Sequence, residues 1–222
     1  NDANGGLGAL NQVTKSTRGP ISDPIYSKLP TISGSGLRVA FASTADGPVV
    51  GMTPGGNPAS SRNEEIFYSD LSQTGVPTGT KKQVTTTTPT NPGDPVNILN
   101  TGRRMSRDGR YIAFDSYADL APTTPGPNFT SFATYIYDAT TNTFQQVLAR
   151  SDADSAASGG DLARYPGFTY FDENGTPGTF VVLETRMNIK SDGTVAATAA
   201  DGLNNIPERP AQLYSVKLTD AS

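Results

Sequence analysis

Three aspartates that alternate with small residues are the clearest candidates for chemistry in this chain of 222 residues. Asp152 and Asp154 lie two positions apart, and Asp161 follows a Gly-Gly pair. Alternating carboxylates are typical of calcium loops, in which six to eight oxygens surround the ion. The next ligand position, however, holds Ala156, and no Glu closes the loop. The spacing therefore favours a solvated loop over calcium, and we expect no metal site and no cofactor.

Carboxylates within predicted strands are the next candidates. Glu64 and Glu65 are adjacent, so a strand would point them to opposite faces and they would not form an acid/base pair. Asp115 and Glu184 occupy the same position in two repeats, where they face either a central channel or a structural polar contact. The pattern favours the structural contact, and we expect no catalytic residue.

Several other segments have both a binding and a structural interpretation. An aromatic cluster could stack on a sugar or peptide, although core packing is favoured; it comprises Tyr165, Phe168, Tyr170 and Phe171. Two segments match the N-glycosylation pattern, Asn128-Phe129-Thr130 and Asn174-Gly175-Thr176. The run Thr85 to Thr88 predicts an extended polar connector, for which O-linked sugar is a purely compositional option.

Composition excludes several classes of site and of partner. The sequence contains neither His nor Cys, which rules out imidazole and thiolate catalysis, zinc–thiolate sites and disulfides. The net charge of −4 and the acidic pI argue against a nucleic-acid partner, which demands a basic face. The apolar runs are far shorter than a membrane-spanning helix, so we expect no membrane insertion.

Internal repeats indicate which elements position these residues. The pattern S-x-x-G-x-x-[VI]-A-F-x-S occurs at 33–43 and again at 106–116, and a weaker copy covers 172–185. A Tyr- or Phe-containing run follows each copy, at 65–69, 134–138 and 212–216. A third element ends the first two repeats, at 82–85 and 145–148, and its only other copy lies near the N-terminus, at 11–14.

These runs have the properties of β-strands. Asp108-Gly109 supplies the positive φ that a tight turn needs, and the residues after it are β-branched or aromatic. Both faces of the central run are apolar, with alanine on one face, as in a strand buried between closely spaced sheets. Four strands per unit predict an all-β propeller with three four-stranded blades. The blades would cover 27–90, 98–150 and 163–218 of a single domain spanning 1–222.

The second repeat resembles the bacterial TolB-like, WD-type β-propeller repeat. The resemblance rests on Ser106-Arg107-Asp108-Gly109-Arg110-Tyr111-Ile112-Ala113-Phe114, then Thr134-Tyr135-Ile136-Tyr137-Asp138 and Gln145-Gln146-Val147. The first copy has Ser35 in place of the aspartate, and the third has Leu183 in place of the phenylalanine. The resemblance covers roughly residues 9–218 and implies a fold, but it carries over no catalytic residue.

Long connections in all three repeats join the second and third strands. They cover about 45–63, 120–133 and 187–210 and are rich in Gly and Pro. Equivalent insertions project from the same side of a repeat protein, and that side is commonly the binding face.

The sequence accordingly predicts a non-catalytic, exported binding or assembly module that presents loops to a protein or glycan partner. A structural part of an extracellular or periplasmic complex is a related option, and a carbohydrate-active hydrolase or lyase using channel carboxylates is the alternative. The polar, Lys-poor composition and the start at Asn1 rather than Met favour a secreted or periplasmic location.

Closure of the ring is the last expectation. Three blades are fewer than the usual four to eight, so this chain would form half of a six-bladed ring or part of a larger propeller. The N-terminal strand at 9–15 would close the last blade. A homodimer with exchanged N-terminal strands, or a larger assembly, would complete the ring.

Overall fold

The computed structural model is all-β, as the sequence predicts, with about 39% strand and 2% helix. It describes residues 8–91, 93–121, 126–148, 150, 180–206 and 209–218, and the backbone of 167–168. In this part of the chain, the only helix is a 3₁₀ turn at Ala199–Asp201.

Eleven strands form three antiparallel sheets in chain order. Sheet 1 contains β1 (Ser27–Ile32), β2 (Arg38–Ser43), β3 (Glu65–Leu71) and β4 (Pro77–Gln83). Sheet 2 contains β5 (Asn97–Ile98), β6 (Tyr111–Ala118), β7 (Asn128–Asp138) and β8 (Thr143–Gln146). Sheet 3 contains β9 (Gly167–Phe168), β10 (Phe180–Thr185) and β11 (Gln212–Lys217). The third strands predicted near 65–70, 134–138 and 212–217 are confirmed as β3, β7 and β11.

The Ser-x-x-Gly turns precede the second strands of sheets 1 and 2. Gly36 and Gly109 have φ values of 73° and 75°, a region that side chains with a Cβ rarely adopt. The Asp108 carboxylate accepts hydrogen bonds from the Ser106 hydroxyl at 2.6 Å and from the Arg110 N–H at 3.0 Å. In the first repeat, the Ser35 hydroxyl lies 3.1 Å from that of Ser33, so serine occupies the aspartate's place in the turn.

The sheets stack face to face in chain order. Ala40 and Ala42 of sheet 1 pack in one cluster with Ile112, Phe114 and Tyr135 of sheet 2. Ala113, on the other face of sheet 2, packs with Val181 of sheet 3. The alanines of β2 and β6 therefore face the following sheet, and they let the second strands of neighbouring sheets approach closely. This arrangement confirms the predicted burial of the central strands on both faces.

Within one chain, the N-terminal segment does not close sheet 3. In residues 9–15 only Thr14 forms a β-bridge, and its partner is Val49 rather than a residue of sheet 3. The Val13 side chain packs on the outer face of sheet 1 together with Val49 and Met52. The physical reason is that Val39, Phe41 and Phe67 would otherwise leave this face uncovered, and the chain covers it with its own segments.

Three further details differ from the sequence prediction. The second long connection ends earlier than expected, because β7 already begins at Asn128. Among the described residues, sheet 3 has three strands where the predicted blade has four, and no closed sheet forms, so the propeller stays a prediction. The strand pairs Phe41–Phe67, Phe114–Tyr135 and Leu183–Tyr214 shift the second run, 134–138, by one residue relative to the runs 65–69 and 212–216.

Candidate functional site

A buried polar network joins sheets 1 and 2 at the end that carries the long connections. Glu65, at the start of β3, is only 1% exposed. Its Oε1 accepts hydrogen bonds from the Thr87 N–H at 2.6 Å and the Thr87 hydroxyl at 3.0 Å, and its Oε2 accepts one from Asn97 Nδ2 at 2.9 Å. Asn97 Oδ1 accepts the Ser116 hydroxyl at 3.0 Å. The network therefore fixes where the connections of the two sheets meet.

Burial makes Glu65 unusual among the carboxylates. Desolvation raises its pKa from 4.5 to about 7, although hydrogen bonds from Thr85, Thr87 and Asn63 act in the opposite direction. Glu65 has no access to solvent, so its proton equilibrium affects the folded state rather than a substrate.

A groove of about 800 Å³ lies at this same end. One wall is formed by residues 59–64 of the first long connection, and the other by the connector that links sheets 1 and 2. Tyr26 and Lys28, at the start of β1, line its floor. A second groove of about 340 Å³ lies on the other side of the connector, beside Asn128 and Phe129.

Glu64 is the central carboxylate of the larger groove. Its Oε2 lies 2.7 Å from Lys28 Nζ and accepts a hydrogen bond from the Tyr26 hydroxyl at 3.0 Å. Burial, followed by the charge and hydrogen bond of Glu64, raises the pKa of Tyr26 to about 12. Tyr26 is therefore held as a neutral donor rather than as a nucleophile, and Lys28 balances the charge of Glu64.

Arg62 provides the second charge pair of the groove. Its guanidinium donates to Asp23 Oδ2 at 2.8 Å, and its side chain is 12% exposed. Arg62 Nε is buried and has no hydrogen-bond partner among the described residues. A buried N–H without a partner is unfavourable by about 1–3 kcal/mol, so Arg62 is held in the groove wall at a cost in stability.

Arg150 holds the same end of sheet 2 together. Its guanidinium donates to the carbonyls of Ser116, Ala118 and Ser131 at 3.2, 2.6 and 2.5 Å. It also donates to the Tyr135 hydroxyl at 2.9 Å. These carbonyls flank the register shift between β6 and β7. Arg150 therefore holds the two strands together where the second long connection begins and ends, and we call it the clamp of sheet 2.

The structure does not bring the predicted carboxylates together as one site. Asp115 is fully buried and accepts the Thr134 hydroxyl at 2.6 Å, a structural polar contact. Glu184 is half-buried on β10, opposite Leu213 of β11. Glu64 reaches the groove while Glu65 enters the buried network, so the two neighbours have separate surroundings.

The threonine connector is more structural than its composition indicates. Thr85 and Thr87 are buried and bonded to β3, whereas Thr86 and Thr88 are exposed. The Asn128 amide of the first glycosylation pattern donates to the Thr88 carbonyl.

Several predicted sites fall outside the described residues, namely Asp152, Asp154, Asp161, Tyr165, Tyr170, Phe171 and the segment at 174–176. Phe168 is described by its backbone alone, paired with Val181.

Sequence reasoning missed the residues of the groove. Tyr26, Lys28, Arg62 and Glu64 come from separate segments and form no motif, so only the pairing of β1, β2 and β3 brings them together. Arg150 has no sequence signal either, because its partners are backbone carbonyls.

Other classes of site receive no support from the described part of the chain. It contains no group of three acidic residues arranged to hold a metal ion. None of its helices is long and apolar enough to cross a membrane. No protein-family model matches the sequence, and no curated protein matches it.

Proposed function

We propose that the protein is a non-catalytic binding module that uses the groove at the end of sheets 1 and 2 to hold a protein partner outside the cytoplasm. The observation that carries this proposal is that both cations lining the groove are already paired with a carboxylate of the groove. Each of its two ion pairs is internal, Lys28 with Glu64 and Arg62 with Asp23. A general acid or base needs a group poised to exchange protons with a substrate, and balanced pairs instead favour recognition.

A protein partner suits the groove better than a glycan. Sugar rings usually stack on an open aromatic face, and Lys28 Nζ covers the Tyr26 ring at 5.0 Å from its centroid. Both signs of charge line the walls, which matches the mixed charges and carbonyl acceptors of a peptide. The Arg62 guanidinium, which lines the groove, would donate to one such carbonyl in the complex.

The propeller architecture belongs to this proposal. Three sheets stacked in chain order, with similar strand pairs in each, are compatible with TolB-like blades. In that arrangement the three long connections share one end, which would extend the groove into a binding face. The hydrolase or lyase alternative gains no such support, because the Asp115 carboxylate is buried and bonded to Thr134.

A peptide-display selection tests the proposal. Peptides selected on the wild-type protein are expected to bind Arg62→Gln at least tenfold more weakly, and Lys15→Gln, outside the groove, is the matched control. Circular dichroism checks that both variants fold. Peptides that bind the two variants equally well would contradict the groove assignment. Arg62-dependent binding to a glycan array would instead identify a sugar partner, and product release from the glycan would revive the enzyme alternative.

A further inference from the structure

The outer edge of β11 differs from the corresponding edge in the other sheets. In sheets 1 and 2, the third strand is covered by a fourth, β4 or β8. β11 is the third strand of sheet 3, and no strand covers its outer edge in the described part of the chain. It pairs with β10 over six consecutive positions without a bulge, so its backbone is straight and regular.

β11 lacks the proline and the register shift that interrupt the edge strands β1 and β4, and its one charged residue, Lys217, lies at its end. β1 carries Pro30 and a register shift next to Leu29, whose φ is 54°. β4 begins with Pro77, and its pairing with β3 is also shifted. β11 reads Gln-Leu-Tyr-Ser-Val-Lys, with neither Pro nor Gly, and Leu213 is 74% exposed. A regular, unprotected edge is a template for another strand.

The register of the missing strand follows from the other two sheets. Phe67 pairs with Gln83, and the equivalent Tyr135 pairs with Gln146. In both cases the next residue is a valine, whose N–H donates to the third strand at 2.7 Å or 2.8 Å. The chain contains three Gln-Val pairs, and the third is Gln12-Val13. Tyr214 is the residue equivalent to Phe67 and Tyr135, so Gln12 would lie opposite Tyr214.

The Tyr214 hydroxyl gives independent support for this register. It is buried and has no hydrogen-bond partner among the described residues. The equivalent Tyr135 hydroxyl lies 3.5 Å from Oε1 of the glutamine in its fourth strand, Gln146. A glutamine in a fourth strand of sheet 3 would bring the same amide group to Tyr214.

We infer that the edge of β11 accepts residues 11–14 of a second copy of this chain as an antiparallel fourth strand, with Gln12 opposite Tyr214. The chain's own segment lies on the outer face of sheet 1, where Val13 O accepts the Val50 N–H at 3.0 Å. Val13 cannot pair with Val50 and with β11 at the same time, so the donor segment leaves its own sheet 1 when it binds. We assign it to a second copy because sheet 2 stands between that face and sheet 3 of the same molecule. The contact is head-to-tail and is independent of the groove function.

Two cysteine variants, mixed as separate proteins, test the register. The native chain has no cysteine, so every disulfide would join the introduced residues. In the proposed register Val13 and Leu213 form a hydrogen-bonded pair. The pair beside it, Thr14 and Gln212, is not hydrogen-bonded, and the Cα atoms of such pairs lie closer together, which favours a disulfide. On oxidation, Thr14→Cys and Gln212→Cys are expected to form a mixed dimer at least fivefold more readily than Thr14→Cys and Ser215→Cys, three positions out of register.

The outcomes separate the inference from its rivals. Equal crosslinking of both mixtures, no crosslinking, or a dominant Gln212→Cys homodimer would overturn it. Light scattering must also show the wild type above the 23.2 kDa of one chain, and a monomer at every concentration would reject second-copy binding. Tyr214→Phe is expected to weaken association at least threefold, because it removes the hydroxyl that Gln12 would bond. Unchanged association in this folded variant would refute the Gln12–Tyr214 register.

Discussion

Glu65 shows how one buried carboxylate can link connections from two sheets. Its oxygens accept hydrogen bonds from Thr87 and Asn97, which belong to the connector and to β5. The side chain is withdrawn from water, so its protonated form is favoured in the folded state up to a pH of about 7. The consequence is a pH-dependent contribution to stability.

The sign of that contribution follows from the raised pKa. The unfolded chain releases the Glu65 proton near pH 4.5, whereas the folded chain keeps it until about pH 7. Stability therefore falls as the pH rises between these values, by about 3 kcal/mol for a shift of this size. Glu65→Gln should remove this pH-dependent loss of stability, because glutamine has no proton to release. The glutamine amide keeps its hydrogen bond to Asn97 once the Asn97 side-chain amide flips by half a turn. Urea unfolding at pH 5 and pH 8 measures the difference, and a constant gap between wild type and variant would contradict it.

At the scale of elements, Arg150 compensates for an irregular pairing. β6 and β7 change register between Ser116 and Ala118, which leaves backbone carbonyls without strand partners. The Arg150 guanidinium donates hydrogen bonds to the carbonyls of Ser116, Ala118 and Ser131. Its planar fork of donors suits this role, whereas a lysine has a single ammonium group.

Removing the clamp is expected to destabilise sheet 2. Arg150→Ala leaves three carbonyls without their donor and should lower the free energy of unfolding by about 2 kcal/mol or more. Arg150→Lys should recover only part of the loss. Thermal unfolding measures both variants against Arg18→Ala, an exposed control. Equal stability of the Arg150 and Arg18 variants would show that the carbonyls are satisfied by solvent instead.

The central strands could be predicted from sequence because their signals are local. The Asp108-Gly109 turn and the run from Tyr111 to Phe114 lie side by side in the chain, and they form the turn and the first half of β6. The groove could not be predicted, because Lys28 and Glu64 meet only through strand pairing. The position of Val13 could not be predicted either. Its Gln-Val-Thr pattern is the same as that at 83–85, so the sequence alone fits a fourth strand of sheet 3 as well as a segment that covers sheet 1.

At the scale of the whole molecule, the stacking of sheets 1 and 2 depends on alanines of β2 that pack against large side chains of the next sheet. Ala40 is fully buried between sheets 1 and 2, opposite the large side chains of β6 and β7. Close packing leaves no space there for a longer side chain.

Ala40→Leu is expected to force sheets 1 and 2 apart. Overpacking of this kind lowers stability by about 1–3 kcal/mol. The same change at Ala197, which is exposed, should have little effect. Chemical denaturation of both variants provides the comparison. If Ala40→Leu were as stable as Ala197→Leu, the close approach of the two sheets would be wrong.

In sheets 1 and 2, each strand pairs with the strand that follows it in the chain. The β1–β2, β3–β4 and β7–β8 ladders close short turns, and such local contacts favour rapid folding. Sheet 1 can assemble from residues 27–83 while the ribosome is still adding later residues. Sheet 2 would then dock on a finished surface, so that the molecule grows from its N-terminal end as it is synthesised.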